Sequence, residues 1–104
     1  MALKPSYNDK LHLPGLSKTE ILILALEASL KLEWNIEEVT PEGARFEVPF
    51  NMYSHGEEIT FTIEPGSDGE VAVRSQSSSV QFVDYGKNRK NIQKLRETME
   101  EIKT

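Results

Sequence analysis

Polar side chains that could do chemistry are densest between Asp84 and Ile92, in the stretch Asp-Tyr-Gly-Lys-Asn-Arg-Lys-Asn-Ile. Five cations, Lys87, Arg89, Lys90, Lys94 and Arg96, fall between residues 86 and 96 with no acidic residue among them. If a helix begins near Gly86, they occupy its first turns, where the macrodipole disfavours positive charge. Free amides and basic side chains together would suit a phosphate or carboxylate there. Lys87, Lys90 and Lys94 share one face of such a helix, while Arg89 and Arg96 lie on its far side. Arg74, Ser75 and Ser77, from the strand end before it, are further candidate contacts for an anionic group or a protein partner. A structural use competes with this one. The helical projection puts Asn88 in the middle of the Ile92/Leu95/Met99 stripe and Asn91 at its border. A buried amide without partners costs about 1–3 kcal/mol. The two amides would then tie the helix to the backbone of the Ser-rich stretch 75–79, with Asp84 capping the first turn, the commoner fate of buried polar side chains. A basic run that is only a solvated face is likewise the commoner outcome.

Other constellations are weaker. Ser54, His55 and Glu57 have the identities of nucleophile, base and orienter, yet they sit within four residues of one turn, where neighbouring side chains diverge. A small hydrolase is therefore a remote alternative, and no G-x-S-x-G accompanies any serine. His12 and His55 are the only imidazoles and have no Cys or second His at ligand spacing, so no metal is expected. Gly66 and Gly69 do not follow a phosphate-cradling spacing, and no cofactor is implied.

The elements that must position these residues follow from periodicity. Ser17-Lys-Thr-Glu20 has the form of a capping box, with Leu16 and Ile21 as its hydrophobic staple. A helix is predicted from residue 18 to about Trp34. At 100° per residue, Ile21, Leu24, Ala25, Ala28 and Leu32 share one face, and Ile23, Leu26, Leu30 and Trp34 the opposite one. Two apolar faces need two partners, and the second could be met by the N-terminal arm, the last helix or another protein chain. From residue 36 to 76 the period becomes two: Ala44, Phe46, Val48 and Phe50, then Ile59, Phe61 and Ile63, then Val71 and Val73, alternate with polar residues. Turns at Pro41–Gly43, Ser54–Gly56 and Pro65–Gly69 complete a four-stranded antiparallel meander whose first strand is Ile36–Thr40. The last helix runs from near Gly86 to Lys103 on the stripe Ile92, Leu95, Met99, Ile102. The expected fold is α+β, a two-layer α-β-β-β-β-α sandwich with both helices on one sheet face. Residues 1–16 form an extended N-terminal arm, and residues 17–104 a single domain.

Composition narrows the function classes. The 104 residues carry 12 basic and 17 acidic side chains and no cysteine, which excludes disulfides, thiolate metal sites and a thiol nucleophile. Residues 1–70 hold 5 basic and 13 acidic side chains, whereas residues 71–104 hold 7 and 4. The acidic balance argues against a nucleic-acid binder, and the aromatic residues Phe46, Phe50 and Phe61 alternate to the core face, leaving no stacking platform. The apolar stretch Ile21–Leu32 is too short for a membrane span. The first ten residues lack an apolar signal core, so a cytoplasmic location is the default expectation.

Val73-Arg-Ser-x-Ser77, followed by Asp84-x-Gly-x-Asn88-x-x-Asn91-Ile92 and preceded by Ser54-x-Gly-Glu57, resembles small bacterial domains of unknown function. These share an R/K-S-x-S strand end and a D-x-G-x-N-x-x-x-I start to the final helix. The resemblance spans roughly residues 18–103. Such domains occur alone or beside membrane-embedded modules and carry no established activity, so the resemblance bears on the fold more than on function. The expectation is a non-enzymatic binding module acting through the Ser75–Ser79 stretch and the start of the last helix. The alternative is a self-associating domain that dimerises through Ile23, Leu26, Leu30 and Trp34.

Overall fold

A computed structural model describes residues 4–49, 56–78 and 86–103. Its elements are β1 (Ser6–His12), α1 (Lys18–Lys31), β2 (Asn35–Thr40), β3 (Gly43–Val48), β4 (Glu57–Ile63), β5 (Glu70–Ser77) and α2 (Lys87–Lys103). The strands form one antiparallel sheet in the order β1-β5-β4-β3-β2. The class is the expected α+β, but the sheet has five strands where four were expected, because Ser6–His12 pairs with β5 from Ser6 opposite Gln76 to His12 opposite Glu70. Only Tyr7 and Leu11 mark the inward side of that strand as apolar. Asp9 takes the inward position between them, which hides the period of two.

Strand alternation sets two unlike faces. Leu11, Val71, Val73, Ile59, Phe61, Ile63, Ala44, Phe46 and Val48 are buried with Ile21, Leu24, Ala25, Ala28, Ile92, Leu95 and Met99 of the helices in one core. Burying apolar surface at about 25 cal/mol per Å² is the main force holding this layer together. Both helices lie on that face, α2 beside β5 and β1, α1 beside β2 and β3. Lys31 of α1 and Glu101 of α2 lie 3.7 Å apart. The opposite face carries Lys10, Arg45, Thr60, Thr62 and Arg74 and, among the described residues, no helix.

α1 starts as its sequence dictates. The Ser17 hydroxyl accepts from the Glu20 amide, and the Glu20 carboxylate accepts from the Ser17 amide at 2.9 Å. Those Ser17 groups, the amide first, hold the Glu20 carboxyl below the usual carboxylate range. The helix ends earlier than expected, at Lys31. The Glu33 amide donates to the Leu30 carbonyl at 3.0 Å and the Trp34 amide to the Ser29 carbonyl at 2.9 Å, the two bonds of a Schellman motif. Glu33 takes the left-handed conformation, φ 62°, usually filled by glycine. The reversal carries Trp34 off the helix and into the core, with its ring 6.3 Å from that of Phe46. Trp34 therefore does not belong to the second apolar face of α1, as the continued helical projection had it.

The N-terminal strand is fastened at its far end. The Leu13 amide donates to the Gly69 carbonyl at 2.8 Å and the Gly15 amide to Asp68 Oδ1 at 3.1 Å. Gly69 has φ +77°, and a Cβ there would overlap the Leu13 carbonyl, so the close approach of the two segments requires glycine.

Candidate functional site

The inward alternation of β4 and β5 continues past the apolar residues and ends in polar ones. Ser75 and Ser77 follow Val71 and Val73 on the same face of β5, and Glu57 precedes Ile59 on β4, directly opposite Ser77. The first turns of α2 lie over this corner. Asn88 is fully buried, Asn91 nearly so, and Glu57 is only 2% exposed. Their bonds interlock. The Ser75 hydroxyl donates to Asn88 Oδ1 at 2.7 Å. Asn88 Nδ2 donates to the Pro5 carbonyl at 3.1 Å and to Ser77 Oγ at 3.2 Å. Asn91 Nδ2 donates to Glu57 Oε1 at 2.9 Å and to Ser75 Oγ at 3.2 Å. Both hydrogens of each amide group are thus used, and the Ser75 hydroxyl both donates and accepts. The expectation had these asparagines bonding to the backbone of the Ser-rich stretch 75–79; among the described residues their side chains meet the hydroxyls of Ser75 and Ser77, the Glu57 carboxylate and the Pro5 carbonyl.

Gly86 precedes α2 with φ +76°, and its carbonyl accepts the Lys90 amide at 3.0 Å, the first bond of the helix. Asp84, Ser54 and His55 lie outside the described residues, as does Ser79. The basic run divides into two groups. Arg96 Nη2 donates to Asp9 Oδ2 at 2.8 Å and to the Lys10 carbonyl at 3.4 Å. That guanidinium, seconded by the Lys10 amide, holds the Asp9 carboxyl below the usual carboxylate range, against the opposing effect of partial desolvation. Arg89 adds a weaker attraction to the same carboxylate. Lys87 is half-buried, Lys90 and Lys94 are exposed, and none of the three forms an ion pair with a described residue.

A family model described as "Protein of unknown function (DUF1499)" matches residues 7–99. The chain belongs to the DUF1499 family. No curated protein matches it. The DUF1499 match begins inside β1 and ends in α2, so it takes in Glu57, Ser75, Ser77, Asn88 and Asn91 of the polar corner and all of β1 but Ser6.

The site residues expected from the sequence do not all meet in this DUF1499 chain. Ser75 and Ser77 lie under α2 with their hydroxyls engaged by Asn88 and Asn91. Arg74, between them in sequence, is exposed on the opposite face of the sheet, because successive strand residues point to opposite sides. It cannot share a ligand with Lys87, Lys90 and Lys94. Glu57 as the partner of Asn91 was not foreseen. Its signal was present in the alternation Glu57, Ile59, Phe61, Ile63, which sets the carboxylate on the core face. Among the described residues no group of His, Cys, Asp and Glu is placed to hold a metal ion, and no helix is long and apolar enough to cross a membrane.

Proposed function

We propose that this DUF1499 domain is a non-enzymatic binding module that receives an anionic group, free or carried by a protein partner, at the start of α2. The observation that carries the reading is the division of the basic run. Arg96 is matched to Asp9, whereas Lys87, Lys90 and Lys94 meet no carboxylate among the described residues. They share a face that begins at the first residue of the helix, where the free amides favour negative charge. The polar corner beneath supports this reading as a mounting. Its side chains bond to one another and fix the first turn of α2, which reduces the ordering cost of binding on top of it. Glu57, the member of the Ser54/His55/Glu57 set that is described, is turned inward to Asn91 and away from solvent.

Titration of isotope-labelled protein with inorganic phosphate and with a hexaglutamate peptide, followed by NMR, tests the reading. The amides of residues 86–94 are expected to shift first, and replacing Lys87, Lys90 and Lys94 together by Gln should remove most of the response. Unmoved amides there with both probes at about 10 mM, a level that reveals a millimolar Kd, sink it.

A second reading, self-association through α1, is favoured by a specific observation. Ile23 and Leu30 are 50% and 64% exposed on one face of α1, and Ile36 and Val39 of the adjacent edge strand β2 are also open to solvent. Leu26 is half-buried against the core, and Trp34 is withdrawn into it. Sedimentation at two concentrations should show a dimer that Leu30→Glu dissociates. A monomer at both concentrations removes this reading.

A further inference from the structure

The outer face of the sheet, on the side away from both helices, is concave over β1, β5 and β4. The hollow measures about 470 Å³, within the range of small-molecule sites. Its sides are Asn8, Lys10 and Arg74, and its floor is Ala72 with Thr60 and Thr62. Register explains the shape. Asn8, Arg74, Thr60 and Arg45 stand side by side across four strands, and the next outward row is Lys10, Ala72, Thr62 and Gly43. Arg74, flanked by Asn8, therefore stands beside Ala72 and the two threonines, so a long side chain borders short ones.

The charges along the first of those rows are unequal. Arg45 lies 3.7 Å from Glu38 and 4.0 Å from Glu58, so two carboxylates answer it. Arg74 forms no ion pair with any described residue, although it lies at the rim of the hollow. Lys10 is 3.4 Å from Glu64, and its ammonium has three hydrogens to give. The hollow thus combines one guanidinium with no carboxylate partner among the described residues, a second cation with donors to spare, the Asn8 amide, and a floor of one methyl group and two threonine side chains.

We propose that this face binds a small amphiphilic anion, with its carboxylate or phosphate group held between Arg74, Asn8 and Lys10 and an apolar body of a few carbons lying over Ala72 and the methyl groups of Thr60 and Thr62. The guanidinium fork suits either acid group. The site lies across the sheet from Lys87, Lys90 and Lys94, so it stands independently of the function proposed above.

NMR titration with hexanoate, hexyl phosphate and uncharged hexanamide tests it. The two anions should shift the amides of Asn8, Thr60, Thr62, Ala72 and Arg74 and saturate at low millimolar concentration, with hexanamide about tenfold weaker. Arg74→Gln should erase most of the difference between anion and amide. Ala72→Leu, which fills the floor on the solvent side, should abolish binding of all three while leaving the thermal melt unchanged. Should that variant fail to fold, Arg74→Gln alone decides. Equal binding of hexanoate and hexanamide, or shifts confined to α2, would overturn the proposal. So would sedimentation showing a dimer that Ala72→Leu dissociates, because a second copy would then cover the face.

Discussion

The buried stripe of α2 is Asn88 and Asn91 over its first turn and Ile92, Leu95 and Met99 thereafter, and the sheet changes with it. Under the first turn lie Ser75, Ser77 and Glu57; the remainder of the inward face of β5 and β4 is Val71, Val73, Ile59, Phe61 and Ile63. Both halves are closed to water, but they are held by different physics. The apolar half gains from surface removed from water and is insensitive to orientation within its packing. The polar half exchanges water hydrogen bonds for internal ones, so its net gain is small, about 0.5–1.5 kcal/mol per bond. Its geometry, however, admits one position. Shifting α2 by a single residue would turn Asn88 away from Ser75, Ser77 and Pro5 together. The apolar half therefore supplies stability, and the polar half fixes where α2 begins and which way its lysines face.

The largest expected effect sharpens this contrast. Leu95→Ala should cost about 2–5 kcal/mol in urea unfolding, the transfer term plus a cavity. Asn88→Ala should cost about 2–3 kcal/mol, because it takes their partner from the Ser75 hydroxyl and from Ser77 Oγ inside the protein, while the Pro5 carbonyl keeps only the Ser77 amide. The two differ in coupling more than in size. Ser75→Ala and Asn88→Ala combined should fall short of additivity by about 1–2 kcal/mol, since each removes the other's partner. Strict additivity of that pair would break the comparison. A smaller effect belongs to the backbone. Gly86→Ala meets no neighbouring atom but imposes a side chain at φ +76°, at about 1–2 kcal/mol. Thermal unfolding that leaves Gly86→Ala unchanged would show that the helix start relaxes and is not held by the corner.

How much of this the sequence announces depends on the range of the interaction. The capping box at Ser17 and Glu20, the alternation of β3 to β5 and the stripe of α2 are local patterns, and the structure follows them. The inward placement of Asn88 and Asn91 can be projected from the same stripe. Their partners cannot, since Glu57 and Pro5 are 34 and 83 positions away along the chain. β1 escapes a period-two reading because Asp9 sits at an inward position, and nothing near it in sequence reveals that Arg96 answers it. The end of α1 escapes for another reason. Glu33 adopts the conformation that glycine would have announced, so the pattern reads through to Trp34. Arg74 is a different case, because the alternation that turns Val71 and Val73 inward already turns Arg74 outward. Grouping it with Ser75 and Ser77 followed sequence adjacency where strand parity governs.

The border of the polar half provides the smallest effect and the most direct check on burial as the deciding variable. Asp9 and Arg96 make a 2.8 Å ion pair as short as the hydrogen bonds of the corner, but with side chains 36% and 43% exposed, so solvent screens it. Arg96 lowers the Asp9 pKa on folding. A depressed carboxylate stabilises the fold above its ordinary range and loses that contribution as pH falls through the lowered value. Asp9→Asn should therefore cost a few tenths to about 1 kcal/mol at pH 7. It should also flatten the decline in stability below about pH 4. At about 1 M salt the difference at pH 7 should shrink, as the screening length drops to about 3 Å. A loss at pH 7 equal to that of Asn88→Ala, unaffected by salt, would mean that exposure does not separate the border from the corner. Asp9, Arg96 and Arg89 would then have to be counted as part of the device that sets the position of α2.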